Sequence, residues 1–250
     1  MWIGCWDVLV ENERVGADVE RELGGGAQTQ GLVRIGMTVH RPAHDRSDFV
    51  QSLLQHLELV GFGGAPRALG YDAQGREVLT FIEGEVPYSP PFALSDAQLL
   101  SATKLVRDYH AATATSPLRD GQEVVCHSDL GPHNTVFRGD AAVAIIDWDG
   151  DVAPGRRAVD FAHAVWCFAD LTESAVPVGE QARRTRLMCD AYPGMTPAIV
   201  VGELCARFGR ARDRHQAAGR TAAVEVFQGL LRWMNAYGKR IAAPTRPASR

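Results

Sequence analysis

Alternating apolar and polar positions mark the first third of the chain as strand and turn. LVRIG and TVHRP flank Gly36–Met37, which predicts a β-hairpin. Pro42 ends the second strand, because proline has no N–H to give to a ladder. In SDFVQSLLQHLELVG the period lengthens. Phe49, Leu53, Leu57 and Val60 fall at helical spacing, with Ser47 as the expected N-cap and Gly61 as the stop. EVLTFIEGEV (77–86) predicts one more strand, leaving at Gly84. PYSPPFALS, Pro87 to Ser95, is a proline-rich link. Ser95 and Gln98 then make a capping box for a helix running to about Ala112. Helical periodicity returns over 158–171, 180–192, 196–216 and 220–241. In the last of these, Val224, Phe227, Leu231 and Met234 form a stripe read as core.

This order predicts a strand-rich lobe over 1–86 with a hinge near 81–86, a larger helical lobe over 87–243, and a flexible tail over 244–250. Ligands commonly bind in the crevice between two such lobes. A length of 250 residues with 46% hydrophobic content suffices for a real core. The net charge of −4 and the lack of a basic stripe argue against a nucleic-acid partner. Arg207, Arg210, Arg212 and Arg214 are read as a solvated helix face. The five cysteines are odd in number, widely spaced and without a CxxC pair, which predicts reduced thiols and a cytoplasmic protein. The opening MWIGCWDVLVENE has no basic residue ahead of its apolar stretch, so it reads poorly as a signal peptide. No apolar run approaches the roughly 18–20 residues of a membrane span.

The candidate chemistry lies in VVCHSDLGPHNTVF, residues 124–137. Asp129 and Asn134 share a turn-rich loop, and thirteen residues after Asn134 the apolar run Ala144–Ile146 ends at Asp147. A hairpin would bring Asp147 back beside Asn134. Each residue alone reads as a turn former; together they suit phosphoryl transfer, which needs a placed hydroxyl and neutralised phosphate charge. Mg²⁺ accepts a few oxygen ligands from protein and keeps several waters, so Asn134 and Asp147 can suffice as metal ligands. Asp129 remains to accept a hydrogen bond from the attacking hydroxyl. Cys126 is read as a buried small hydrophobe, Trp148 as part of the cleft wall and Trp166 as core. His133 receives no role.

HSDLGPHN followed by IIDWD resembles the catalytic loop and metal-binding segment of the aminoglycoside phosphotransferase family, protein-kinase-like enzymes related to choline kinases. The resemblance implies an α+β, protein-kinase-like two-lobed fold. It implies a kinase passing the γ-phosphate of ATP or GTP to a hydroxyl of a small molecule, with Mg²⁺. Carried over, Asp129 resembles the catalytic aspartate and Asn134 and Asp147 the metal ligands. His127 resembles the histidine that holds the loop, and Asp160 a later aspartate that braces it. GGGAQTQG, with Gly25 and Gly26, stands where the nucleotide-covering loop is expected. Phe81, Ile82 and Glu83 stand where backbone groups would meet the purine. The expected third-strand lysine is absent, and Arg41 stands in its place; Lys and Arg are not interchangeable. Its helix partner should be a glutamate, and the 47–60 helix offers Asp48 and Gln51 near the expected place and Glu58 at its far end. Asp149 and Asp151 are either a solvated pair or a draw for a cationic acceptor. That acceptor is an antibiotic such as an aminoglycoside, or a housekeeping metabolite. The rival reading is a non-catalytic pseudokinase that binds a nucleotide or partner.

Overall fold

The computed structural model describes residues 20–23, 31–87, 92–149 and 151–243. The nucleotide-loop candidates Gly25 and Gly26, most of GGGAQTQG and the 244–250 tail lie outside them.

A five-stranded antiparallel sheet opens the structure, in the order β1-β2-β3-β5-β4. Its strands are β1 (Glu20–Glu22), β2 (Val33–Ile35), β3 (Thr38–Arg41), β4 (Ala68–Tyr71) and β5 (Glu77–Thr80). The β2–β3 hairpin turns at Gly36 as its sequence predicts. β4 has no counterpart among the expected strands: ALGY is short, half exposed and interrupted by a glycine, and it pairs with β5 through an irregular register. β5 ends at Thr80, before the expected exit at Gly84.

One helix, α1 (Ser47–Leu59), belongs to this part of the chain. Val50, Leu53, Leu54 and Leu57 are its buried face. The expected stripe holds at Leu53 and Leu57 and misses at its two ends. Phe49 lies at the edge beneath the Arg46 guanidinium, 4.5 Å from the ring centre, and Val60 is 44% exposed. Ser47 is the first helical residue and not the N-cap. Its hydroxyl accepts from the backbone N–H of His44, which draws it away from the capping position.

Gly84 carries the chain out of the sheet at φ 148°, where an added Cβ would sit 2.5 Å from the Phe137 carbonyl oxygen. That close approach lets Glu85 and Phe137 exchange both backbone hydrogen bonds, at 2.8 and 2.7 Å. α2 (Asp96–Thr113) follows, with both bonds of the Ser95–Gln98 capping box formed. Next come β6 (Val124–Cys126), β7 (Thr135–Arg138), β8 (Ala141–Ile145) and β9 (Ala153–Gly155). β7 pairs with β8 and β6 with β9, both antiparallel. Four helices complete the fold: α3 (Arg157–Phe168), α4 (Val178–Asp190), α5 (Pro197–Ala217) and α6 (Thr221–Ala242). α3 ends three residues before the expected 171, where Asp170 turns left-handed at φ 57°.

The main core joins α1, α2, α3 and the later helices through Leu53, Leu99, Tyr109, Phe161, Phe168 and Phe208. Trp148 is wholly buried, so its side chain belongs to the core and does not line an open cleft wall. Its indole N–H donates to Ile145 O at 2.8 Å. Cys126 is buried as expected, and the α6 stripe centres on Leu230, Trp233 and Met234 with Phe227 and Leu231 at its margin. Trp166 is half-buried, edge-on to His163 and to Phe208, so it sits at the rim of the core. Among the described residues no helix is long and apolar enough to cross a membrane.

Candidate active site

The loop between β6 and β7 is held from below by Asp160 on the first turn of α3. Its Oδ2 accepts from His127 N–H at 3.0 Å and its Oδ1 from Ser128 N–H at 2.8 Å. His110 Nε2 lies 2.9 Å from Oδ2, and the other ring nitrogen meets the Tyr192 hydroxyl at 3.0 Å. Burial alone would raise the Asp160 pKa, but His110, His127 and the Ser128 amide outweigh it and hold the acid below the usual carboxylate range. A buried carboxylate with this many donors ties the loop to α3. His127 serves the same end: its Nε2 meets Ile146 O at 3.0 Å, and its ring stands edge-on to Trp148.

Ser128 takes φ 72°, and Asp129 follows. The Asp129 side chain is 39% exposed, whereas those of His163 and His133 beside it are 3% and 17% exposed. Asp129 thus presents an accessible carboxylate in a well-packed setting. Oδ1 meets His163 Nε2 at 3.1 Å; Oδ2 meets His133 Nε2 at 3.4 Å and accepts from Asn134 Nδ2 at 3.0 Å. Desolvation pushes the Asp129 pKa up, yet the two histidines hold it far below the usual range, so it is ionised. Burial pushes His163 down, more than Asp129 draws it up, so this ring is a neutral donor. His163 Nδ1 is buried without a partner among the described residues, which fits a ring carrying its proton on Nε2.

Asn134 and Asp147 are brought together as the spacing predicts. β7 and β8 pair Thr135 with Ile145, and Ile146 N–H donates to Asn134 O at 2.9 Å, one residue before Asp147. Asn134 spends its amide N–H groups on Asp129, on the backbone carbonyl and Oδ2, both at 3.0 Å. That orients the amide and leaves its oxygen uncommitted among the described residues. Asp147 is left-handed at φ 63°. Its pKa is raised, first by burial and then by the charge of Asp149, against the pull of His127 and Arg41. A desolvated carboxylate beside a second one is a setting that a cation relieves. The described residues hold no cluster of three or more His, Cys, Asp or Glu ligands. Mg²⁺ needs none, because one or two protein oxygens with waters and substrate phosphates suffice.

Arg41 is buried, and its Nε donates to Glu77 Oε2 at 2.8 Å, so its partner is on β5 and not on α1. Asp48 accepts instead from the Tyr71 hydroxyl, and Glu58 faces Arg67 at the surface. Phe81 N–H donates to Met37 O, and Arg34 lies 3.6 Å over the Phe81 ring. Glu83 O accepts from Arg138 at 3.0 Å. The Ile82 backbone has no hydrogen-bond partner among the described residues. Asp149 and Asp151 form a local turn, Asp151 N–H donating to Asp149 Oδ1 at 3.0 Å.

Arg207 corrects the reading of a wholly solvated arginine face: α5 turns it inward, and its Nη2 donates to Ser128 O at 3.2 Å. His133 and His163 were also missed as partners of Asp129. Gly131 admits His133, since a Cβ there would lie 2.5 Å from the imidazole Cε1. His163 could have been inferred from Asp160: three positions later on a helix is the same face.

The profile of the phosphotransferase enzyme family matches residues 106–197. The trifolitoxin immunity protein of Rhizobium leguminosarum bv. trifolii is 34% identical over 192 residues, 68% of this chain and 72% of that protein. A choline/ethanolamine kinase family protein from Mesorhizobium loti superposes with a TM-score of 0.58 at 15% identity, over 90% of this chain and 91% of the other. The GDP complex of aminoglycoside 2'-phosphotransferase-IIIa superposes with a TM-score of 0.56 at 15% identity, over 90% and 95%. Sheet, helical part and loop together are a protein-kinase-like fold, and the chain belongs to the phosphotransferase enzyme family.

Proposed function

We propose that this protein transfers the γ-phosphate of ATP or GTP to a hydroxyl of a small acceptor molecule. The observation that carries the reading is the convergence of Asp129, Asn134 and Asp147: a partly exposed, ionised carboxylate hydrogen-bonded to an amide whose oxygen is uncommitted among the described residues, with Asp147 brought alongside by the β7–β8 hairpin. Asp129 accepts the hydrogen bond of the attacking hydroxyl and aims it, and takes its proton as the new oxygen–phosphorus bond forms and the bond from the γ-phosphorus to the bridging oxygen breaks, with the nucleoside diphosphate as leaving group. Asn134 and Asp147 would hold Mg²⁺, which when bound neutralises charge on the phosphates. Arg41 has a buried Nη2 without a partner among the described residues, a donor suited to a phosphate oxygen. The Ile82 backbone, with its neighbours Phe81 and Glu83, supplies groups for the purine edge. Gly25 and Gly26 are assigned to the loop over the phosphates on sequence grounds.

For the acceptor, an antibiotic-like or toxin-like molecule is favoured by the names of the relatives: an immunity protein and an aminoglycoside phosphotransferase. Asp149 and Asp151 favour a cationic group on it. A panel of hydroxylated amines, antibiotics and metabolites incubated with MgATP or MgGTP tests the reading. Phosphorylated product supports it. Nucleotide binding without transfer to any acceptor favours the second reading, a non-catalytic binder, for which the replaced lysine is the specific observation.

A further inference from the structure

The acidic partner of Arg41 is the place where this chain departs most from the pattern its sequence resembles. A glutamate on α1 is expected there, and the α1 residue that reaches the carboxylate Arg41 uses is neutral Gln51. The carboxylate comes from the sheet. Arg41 and Glu77 are directly opposite in the β3–β5 register, so their side chains leave the same face. Arg41 Nε is 2.8 Å from Glu77 Oε2, Gln51 Nε2 is 3.2 Å from Oε1, and His44 Nε2 is 3.7 Å from Oε2. Glu77 is fully buried. A buried carboxylate is tolerable only when paired and hydrogen-bonded, and this one is met on both oxygens. The guanidinium is planar, so fixing Nε fixes the direction of the other donors. Nη2 is then left buried and unspent among the described residues, a condition that calls for a ligand or water.

We propose that Glu77 is the positioning residue for phosphate recognition: it anchors Arg41 through Nε so that Nη2 is kept for a phosphate oxygen of the nucleotide. The grip on phosphate is thereby built into two adjacent strands and does not depend on a charge carried by α1. This inference rests on the nucleotide-binding reading above.

The test is MgATP and MgGTP affinity by isothermal titration calorimetry, with thermal unfolding of each nucleotide-free variant beside it. Glu77→Gln and Arg41→Met should each weaken binding roughly 10- to 100-fold, the worth of one charge-assisted hydrogen bond. The double variant should bind no more weakly than Arg41→Met alone, because the two residues act through one contact. A Glu77 that served only the fold would lower the melting temperature and leave the affinity of the folded protein unchanged. Should Glu77→Gln fail to fold, Glu77→Asp keeps the charge but shortens the reach, and a smaller loss in the same direction is expected. Wild-type affinity in either folded variant, or additive losses in the double variant, overturns the proposal. Wild-type protein that binds neither nucleotide overturns the nucleotide reading itself.

Discussion

His163 Nε2 lies 3.1 Å from Asp129 Oδ1, and the two residues come from separate elements, one from α3 and one from the β6–β7 loop. Asn134 and His133 approach the opposite oxygen. The carboxylate is therefore held from both sides while remaining exposed. On the proposed reading, His163→Phe should lower kcat by about 10- to 100-fold with nucleotide KM nearly unchanged, since orientation of the Asp129 carboxylate is lost and phosphate contacts are not. His163→Gln, which retains an N–H donor, should recover part of the loss. Steady-state kinetics with a saturating acceptor checks both.

Asp160 joins α3 to the loop through two backbone amides and His110. Asp160→Ala should destabilise the protein by roughly 3–5 kcal/mol, the cost of removing one partner from a buried charged network. Urea denaturation measures it.

The same residue makes a pH prediction. Its folded pKa is lowered, so its contribution to stability is fully present above the ordinary aspartate value of 3.8 and is lost as pH falls through the lower folded value. Wild type should lose stability on acidification below that value more steeply than Asp160→Asn. Melting temperatures of the two proteins across that acid range should converge as pH falls; parallel curves would remove Asp160 from the explanation.

Gly84 is needed for two reasons, its φ of 148° and the 2.5 Å approach of a Cβ to Phe137 O. Gly84→Ala should cost about 1–3 kcal/mol, as residues forced into such a backbone region do. Nucleotide affinity should fall with it, because the Glu85–Phe137 bonds fix the segment that follows Phe81–Glu83. Denaturation and calorimetry on the same variant read the two effects.

The sequence made the loop legible because its chemistry is local. Asp129, Asn134 and Asp147 are joined by a tight turn and a two-stranded hairpin, so spacing alone predicts their meeting. Helix phases were read well where caps are local, as at Ser95 and Gln98, and less well at Ser47, whose hydroxyl found a tertiary role. What spacing does not carry is register between distant segments. Glu77 meets Arg41 only because β3 pairs with β5, and Arg207 reaches Ser128 only because α5 packs on α3. His163 lay nearer to view, one turn beyond Asp160, but a histidine in an apolar helix reads as core until its neighbour is known.

The central claim is that Asp129 acts on the acceptor hydroxyl, and the direct measurement is γ-phosphate transfer by wild type and Asp129→Asn followed by ³¹P NMR. The account predicts a loss on the order of 10²- to 10⁴-fold in transfer rate with MgATP or MgGTP binding retained. Undiminished transfer by Asp129→Asn would contradict it.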